Sequence, residues 1–483
     1  MLSTLLPALA LAVTLPGLPL HDCRLAPPTA PTTVAARCGT LEVPEDYARP
    51  TGKRLRLAVA VIPALDRNAH ATPLFLISGG PGQGARDSFA PLLPTFQRLN
   101  RQRDLVLLDQ RGTGDSNALT CKEVATDAAA LEHTPSATEM AALTQSCLAA
   151  LSGDPRFYTT SVAVRDLDLV RAALGYSRVN LYGISYGTRV AQHYARRYPA
   201  HTRAVIIDGV VPPGLALGPD LAFAAQRAID TVFSRCEADR ACAATYPQLR
   251  QQFRALVIAL RAGPRPVTLL HPVSGKLVTQ ALTIDGLGNA VRFLSYNPVS
   301  ISLLPFLLQE AAAGRPAPLL AQALSLTDTI GGSLAIGMHN AVACTEDLPF
   351  MDASAIDHAA LANTYLGAQP LEALINSCRV WPRGILDADL RQPLRSNIPF
   401  LLLSGGADPV TPPAYAERAL RGLSDARHVI VAGNGHGQWN VPCAPRVMAA
   451  FLDAGTTRGL DITCLQNAQR AQPFFLNANG PAP

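Results

Sequence analysis

Lysine is nearly missing from this chain of 483 residues: of 41 basic residues only Lys53, Lys122 and Lys276 are lysine, and the rest are arginine. No dense basic run or stacking motif accompanies the arginines, and the net charge is only +5, so a nucleic-acid surface is not expected. Charged residues make up 16% against 48% hydrophobic, which excludes a disordered chain and points to a sizeable core. There is no C-x-x-C, which removes a redox pair and a zinc knuckle. There is no HExxH and the ten histidines are scattered, so neither a catalytic metal nor any other cofactor is expected. No internal repeat stands out, and the one biased linker is a Pro/Thr-rich stretch at 26–33.

A long clean apolar run is also lacking. The N-terminus, MLSTLLPALALAVTLPGLPLHDC, has an apolar centre at 5–15 but is broken by Pro7, Pro16 and Pro19. A span needs about 20 uninterrupted apolar residues. The segment 1–20 therefore reads as a cleaved export signal rather than an anchor, although it has no Lys or Arg ahead of its apolar centre. LHDC lacks the small residues that precede a lipidated cysteine. The ten cysteines fit export to a secreted or periplasmic setting, where disulfides persist. Sequence alone does not choose among the pairings. The simplest expectation joins neighbours: Cys23–Cys38, Cys121–Cys147, Cys236–Cys242, Cys344–Cys378 and Cys443–Cys464.

What is present is a rhythm. RLRLAVAVIPA (54–64), PLFLISGGPGQG (73–84), RDLVLLDQRGTGDS (103–116), VNLY (179–182) and AVIIDGVVPP (204–213) are short apolar runs followed by glycine turns or helical patterns. Such alternation predicts an α/β fold with a buried, mostly parallel sheet and helices on both faces. Residues 214–395 break the rhythm with amphipathic helical patterns, and strands resume at IPFLLLSGGADPVTP (398–412) and RHVIVAGNGHG (427–437). A core of 38–213 and 396–465 is thus expected to carry a helical insertion at 214–395, too long for a plain loop, with a tail at 466–483.

Gly183-Ile184-Ser185-Tyr186-Gly187 sits where a strand turns into a helix. The pattern alone arises by chance about 0.1–0.2 times in a chain of this length, so its context carries the weight. A serine at so tight a turn needs glycines on either side to relieve crowding, and its hydroxyl then stands exposed at a helix N-terminus. A hydroxyl needs a base, and the base an orienting carboxylate. Asp408, after PFLLLS, and His436, after HVIVA, follow in the order Ser, acid, His at successive strand ends. Ser116 lacks an ordered acid and histidine, Ser333 lacks a preceding strand, Glu417 reads as helical, and Asp425 precedes its strand. Oxyanion donors are expected from the Tyr186 N–H and from Gly79 or Gly80, since Pro81 has none. Thr411 would hold Asp408 or cap the next helix, the cap being preferred.

SGGPGQG, DQRGTGDS, GISYGT, GGADPVTP and GNGHG, in this order, resemble the motifs of the proline iminopeptidase-like α/β-hydrolases, and most of all their larger secreted tripeptidyl aminopeptidase-like branch. The resemblance runs from about Cys38 to Cys464. It implies an α/β-hydrolase fold with a helical cap, a Ser185–His436–Asp408 triad, and peptide substrates with a free N-terminus, cut at one residue or three. Many relatives have His where Ser78 stands. The resemblance also places the acidic segment HNAVACTEDLPF (339–350) at the pocket, where Glu346, with Asp347, would bind the substrate ammonium. The alternative is an ordinary acid pair at a helix start. An esterase or lipase with the same triad, and a silent binding protein on the same scaffold, are the competing functions. A monomer is expected.

Overall fold

The computed structural model describes residues 17–26, 33–121, 135–331, 333–468 and 472–480. The expected leader falls outside this set up to residue 16, and so does most of the Pro/Thr-rich stretch. Leu18 and Leu20, at the leader's expected end, pack against the core, and the Leu18 N–H donates to the Ala173 carbonyl.

The strands are β1 (His21–Leu25), β2 (Val34–Pro44), β3 (Arg54–Ile62), β4 (Leu74–Ile77), β5 (Leu105–Leu108), β6 (Val179–Ile184), β7 (Thr202–Asp208), β8 (Arg265–Leu270), β9 (Leu277–Leu282), β10 (Phe400–Gly405) and β11 (Ala426–Val431). Nine of them form one sheet in the order β1-β2-β3-β5-β4-β6-β7-β10-β11. From β5 to β11 every pairing is parallel, while β1, β2 and β3 join antiparallel at one edge. Those first two edge strands were not anticipated.

Consecutive strand residues divide between the two faces of the sheet. Phe75, Ile77, Leu181, Val205, Ile207 and Leu402 enter one core with residues of the helices Thr160–Ala173 and Tyr186–Arg197. Leu74, Leu76, Tyr182, Ile206, Leu401 and Leu403 enter the other, with the helices Leu93–Asn100 and Ala444–Ala454. Burial on both faces is why these strands read as unbroken apolar runs rather than alternating ones. The central strand order reverses between β4 and β6, whose C-terminal ends therefore lie side by side, the place where such sheets leave a crevice.

Between β7 and β10 the chain leaves the sheet. The insertion contains the helices Asp220–Ala238, Leu249–Ala262, Ile284–Leu294 and Pro298–Ala312 around a third core, together with the antiparallel β8–β9 hairpin, which sequence did not suggest. The tail returns to this insertion: Phe474 enters its core, the Phe475 N–H donates to the Ser302 carbonyl, and the Phe475 carbonyl accepts the Tyr246 hydroxyl. All five neighbour disulfides are formed, and they fit an extracellular setting. Among the described residues, no helix is long and apolar enough to cross a membrane.

Candidate active site

β6 ends at Ile184 and a helix starts at Tyr186, which leaves Ser185 alone to make the turn. Its backbone takes φ 55° and ψ −126°, a strained conformation for a residue with a side chain. The strain is held from both sides. The Ser185 N–H donates to the Asp208 carbonyl at 2.9 Å, and its own carbonyl accepts from the Thr188 hydroxyl at 2.6 Å. The flanking glycines are obligatory by contact: a Cβ on Gly183 would strike the Gly187 carbonyl, and one on Gly187 would lie 2.7 Å from the Ser78 oxygen. The helix N-terminus thus packs on the end of β4, with its first N–H groups free to meet developing negative charge.

The loop after β4 closes over the serine. A Cβ on Gly79 would lie 2.9 Å from that of Ser185, so Gly79 sits beside the nucleophile candidate, and Gly80 follows at φ +105°. Ser78 donates its hydroxyl to the Gln83 carbonyl at 3.0 Å and so braces the loop from within. The insertion holds the same loop from outside, through the Ala335 N–H on the Gly82 carbonyl at 2.9 Å.

Asp408 and His436 meet as anticipated in order and element. His436 Nδ1 lies 2.8 Å from Asp408 Oδ2. The other carboxylate oxygen accepts the N–H groups of Val410 and Thr411, each at 2.8 Å. Thr411 corrects the expected helix cap. Its hydroxyl donates to Asp408 Oδ2 at 2.8 Å and lies 3.2 Å from His436 Nδ1, while Pro412 takes the cap position of the following helix. Burial alone would lower the affinity of His436 for a proton. The Asp408 charge and hydrogen bond, helped by the Asp208 charge and opposed by Arg292, outweigh it and hold the imidazole above its ordinary range.

Two insertion residues that sequence reasoning missed reach this histidine. The Tyr296 carbonyl accepts the His436 N–H at 2.8 Å, and the Tyr296 ring lies tilted 4.9 Å from the imidazole. Arg292 donates to the Tyr296 hydroxyl at 3.0 Å. No short motif marks such contacts, because the partners are far apart in sequence. His436 Nε2 makes no hydrogen bond to protein among the described residues, leaving it available on the side away from Asp408. A serine hydroxyl at a strained turn, an imidazole held by a carboxylate, and glycine N–H groups beside the serine are the parts that acyl transfer uses.

Glu346 and Asp347 are elsewhere in character. Both lie in a π-helical turn, Ala343–Asp347, with no exposed surface. Arg189 donates to Asp347 Oδ1 at 2.7 Å and reaches Glu346 Oε2 at 3.4 Å. Glu346 further accepts the Thr160 N–H at 2.7 Å and its hydroxyl at 2.9 Å. Asp347 accepts the Leu217 N–H at 3.1 Å. The expected pocket-facing ammonium site is therefore corrected: the pair neutralises a buried arginine of the helix that follows Ser185. Burial raises the Glu346 carboxyl, which Arg189 opposes.

The rival Ser116 is buried with its Oγ accepting the Ala58 N–H at 2.8 Å, a structural role, and Asp425 holds Thr456 and Thr457. Among the described residues one group, His193, Asp387 and Asp389, could offer a metal three ligands, but Arg197 bonds both carboxylates. A groove of 600 Å³ on the β2–β3 side is lined by Arg54, Arg56, Arg86 and Asp115 and includes no triad or oxyanion-loop residue.

The model of the alpha/beta hydrolase fold family matches residues 72–276, and that of TAP-like proteins matches 363–464. The serine protease Hip1 of Mycobacterium tuberculosis (strain ATCC 25618 / H37Rv) is 32% identical over 205 residues, 40% of this chain and 39% of that protein. The tripeptidyl aminopeptidase of Streptomyces lividans is 33% identical over 192 residues, 37% of this chain and 36% of that protein. Carboxylesterase B of the same Mycobacterium tuberculosis strain is 34% identical over 199 residues, 38% and 37% of the two chains. The matches thus span less than two fifths of the length of each of these relatives. The crystal structure of a Mycobacterium smegmatis proline iminopeptidase superposes over 86% of this chain and 98% of its own, at 16% identity and a TM-score of 0.41. The chain thus has the α/β-hydrolase fold, and its C-terminal part is similar to TAP-like proteins.

Proposed function

We propose that the protein is an exported serine exopeptidase that releases an N-terminal residue or tripeptide through an acyl-enzyme. The observation that carries the hydrolytic part is the strained Ser185 turn and the Asp408–His436 pair, their two loops tied together through Asp208. Ser185 Oγ attacks the substrate carbonyl as its proton passes to His436 Nε2, and Asp408 holds the imidazole. The oxyanion is met by the Tyr186 N–H and by Gly79 or Gly80. The protonated His436 gives its proton to the leaving amine, and water then releases the acyl group by the same path in reverse. The peptidase part is supported by relatives named serine protease and tripeptidyl aminopeptidase, and export by the disulfides.

An ester substrate is the second reading. One observation favours it: the acid pair that would have met a peptide ammonium is committed to Arg189. A relative is named carboxylesterase B. The test is a panel of prolyl, alanyl and tripeptidyl arylamides with free amines, their N-acetylated forms and short aryl esters, with Ser185→Ala as control. Turnover confined to free-amine amides is the expected result. Turnover of esters alone moves the protein to the esterases, and activity surviving in Ser185→Ala removes the triad.

A further inference from the structure

A second carboxylate is buried at this site. Asp208 ends β7, has no exposed surface, and is wired to both catalytic turns. Its backbone carbonyl accepts the Ser185 N–H at 2.9 Å. Its side-chain Oδ2 accepts the N–H of Gln438, two residues beyond His436, at 2.7 Å, and the Tyr182 hydroxyl at 2.8 Å. The chain then passes directly beneath the imidazole: a Cβ on Gly209 would lie 2.9 Å from His436 Cε1 and 3.0 Å from Thr411 Oγ1.

We infer that Asp208 is a positioning residue of the catalytic centre, whose side chain fixes the His436 turn against the Ser185 turn and whose negative charge favours the imidazolium formed during catalysis. Both donors use Oδ2, and Oδ1 has no hydrogen-bond partner. An asparagine would serve the same two donors with one oxygen; charge is what it would not supply. A buried, half-satisfied carboxylate with no cation bonded to it is costly to the fold, a pattern that accompanies catalytic use. The groups around it are few. Tyr182 comes from β6, and His436 and Asp408 from the loops after β11 and β10; Arg292, from the insertion, acts against the charge of the protonated imidazole. Burial pushes the Asp208 carboxyl up to about 6, against the pull of Gln438, Tyr182 and His436.

The inference rests on the hydrolase reading of Ser185 and His436, and two readouts of Asp208→Asn separate the two. The first is the pH profile of kcat/KM on whichever substrate the wild type turns over. The neutral imidazole is the active base, so loss of a nearby negative charge moves the acidic limb to lower pH, by about half a pH unit or more. kcat falls about three- to tenfold with KM unchanged. The second is NMR titration of the His436 imidazole in histidine-labelled protein, assigned with His436→Asn, where the same downward shift is expected whether or not a substrate is known. Asp208→Ala, which also frees the Gln438 N–H, should lose more kcat than Asp208→Asn; should it fail to fold, Asp208→Asn still decides. An unmoved His436 titration overturns the inference, even if kcat falls, because Asp208 would then be packing alone. A wild type inert on the whole panel overturns the hydrolase reading instead.

Discussion

Asp408 leaves neither oxygen without a donor. Two backbone N–H groups meet one oxygen, and the Thr411 hydroxyl and the His436 ring meet the other. The carboxylate is thereby fixed in rotation before any substrate arrives, which is what a general base requires of its orienting acid. Thr411→Val keeps the backbone donor and removes the hydroxyl, so kcat should fall about tenfold with little change in KM. Thr411→Ser should restore most of it. Steady-state kinetics on one reporter substrate separates the two variants. Ser185, Asp408 and His436 could be singled out as candidates in the sequence because each lies at, or on a short glycine-bearing loop after, the end of an apolar run. Thr411 was not, since a threonine three residues after an acid and just before Pro412 and Pro413 reads slightly better as a cap. Glu346 and Asp347 misled because an acid pair announces its charge and not its partner, and Arg189 lies far away in the chain.

The helix Tyr186–Arg197 is where element and site are joined. Its N-terminus supplies the turn at Ser185, and one turn further on Arg189 is gripped by the π-helical turn of the insertion. Two carboxylates and a guanidinium without exposed surface are stable only together. Arg189→Met would strand both acids, and should lower unfolding free energy by about 3–5 kcal/mol in urea titration. Glu346→Gln, which keeps one oxygen to accept the Thr160 N–H and leaves Asp347 on the arginine, should cost less. The parallel strands could be read from the sequence because burial on both faces writes itself as a continuous apolar run. β2 runs VAARCGTLEVP with exposed and buried positions interleaved, and β8 and β9 are short and flanked by helical patterns, so none carried that signature.

At the scale of the whole molecule, no disulfide ties the sheet core to the insertion: Cys236–Cys242 and Cys344–Cys378 lie inside the insertion, and the other three inside the core. The two parts are held by apolar packing, with Met338, Val342 and Trp381 entering a core of the sheet, by buried charge, by backbone hydrogen bonds at Gly82 and His436, and by the returning tail. Phe474 is 5% exposed within the insertion's core. Phe474→Ala should destabilise the insertion by about 3–5 kcal/mol. Hydrogen exchange should then quicken in the helices Leu249–Ala262 and Pro298–Ala312, while amides of β6 and β10 keep their protection. The tail's docking could not be read beforehand, since its few apolar residues carry no periodicity. β7 and β10 lie in parallel register, Val205 against Phe400, although the entire insertion intervenes between them. Strand pairing is indifferent to what the crossover contains. Descendants of such a gene could therefore lengthen or shorten this crossover without disturbing the sheet, provided they keep the pieces of it that brace His436, Arg189 and the Gly82 loop.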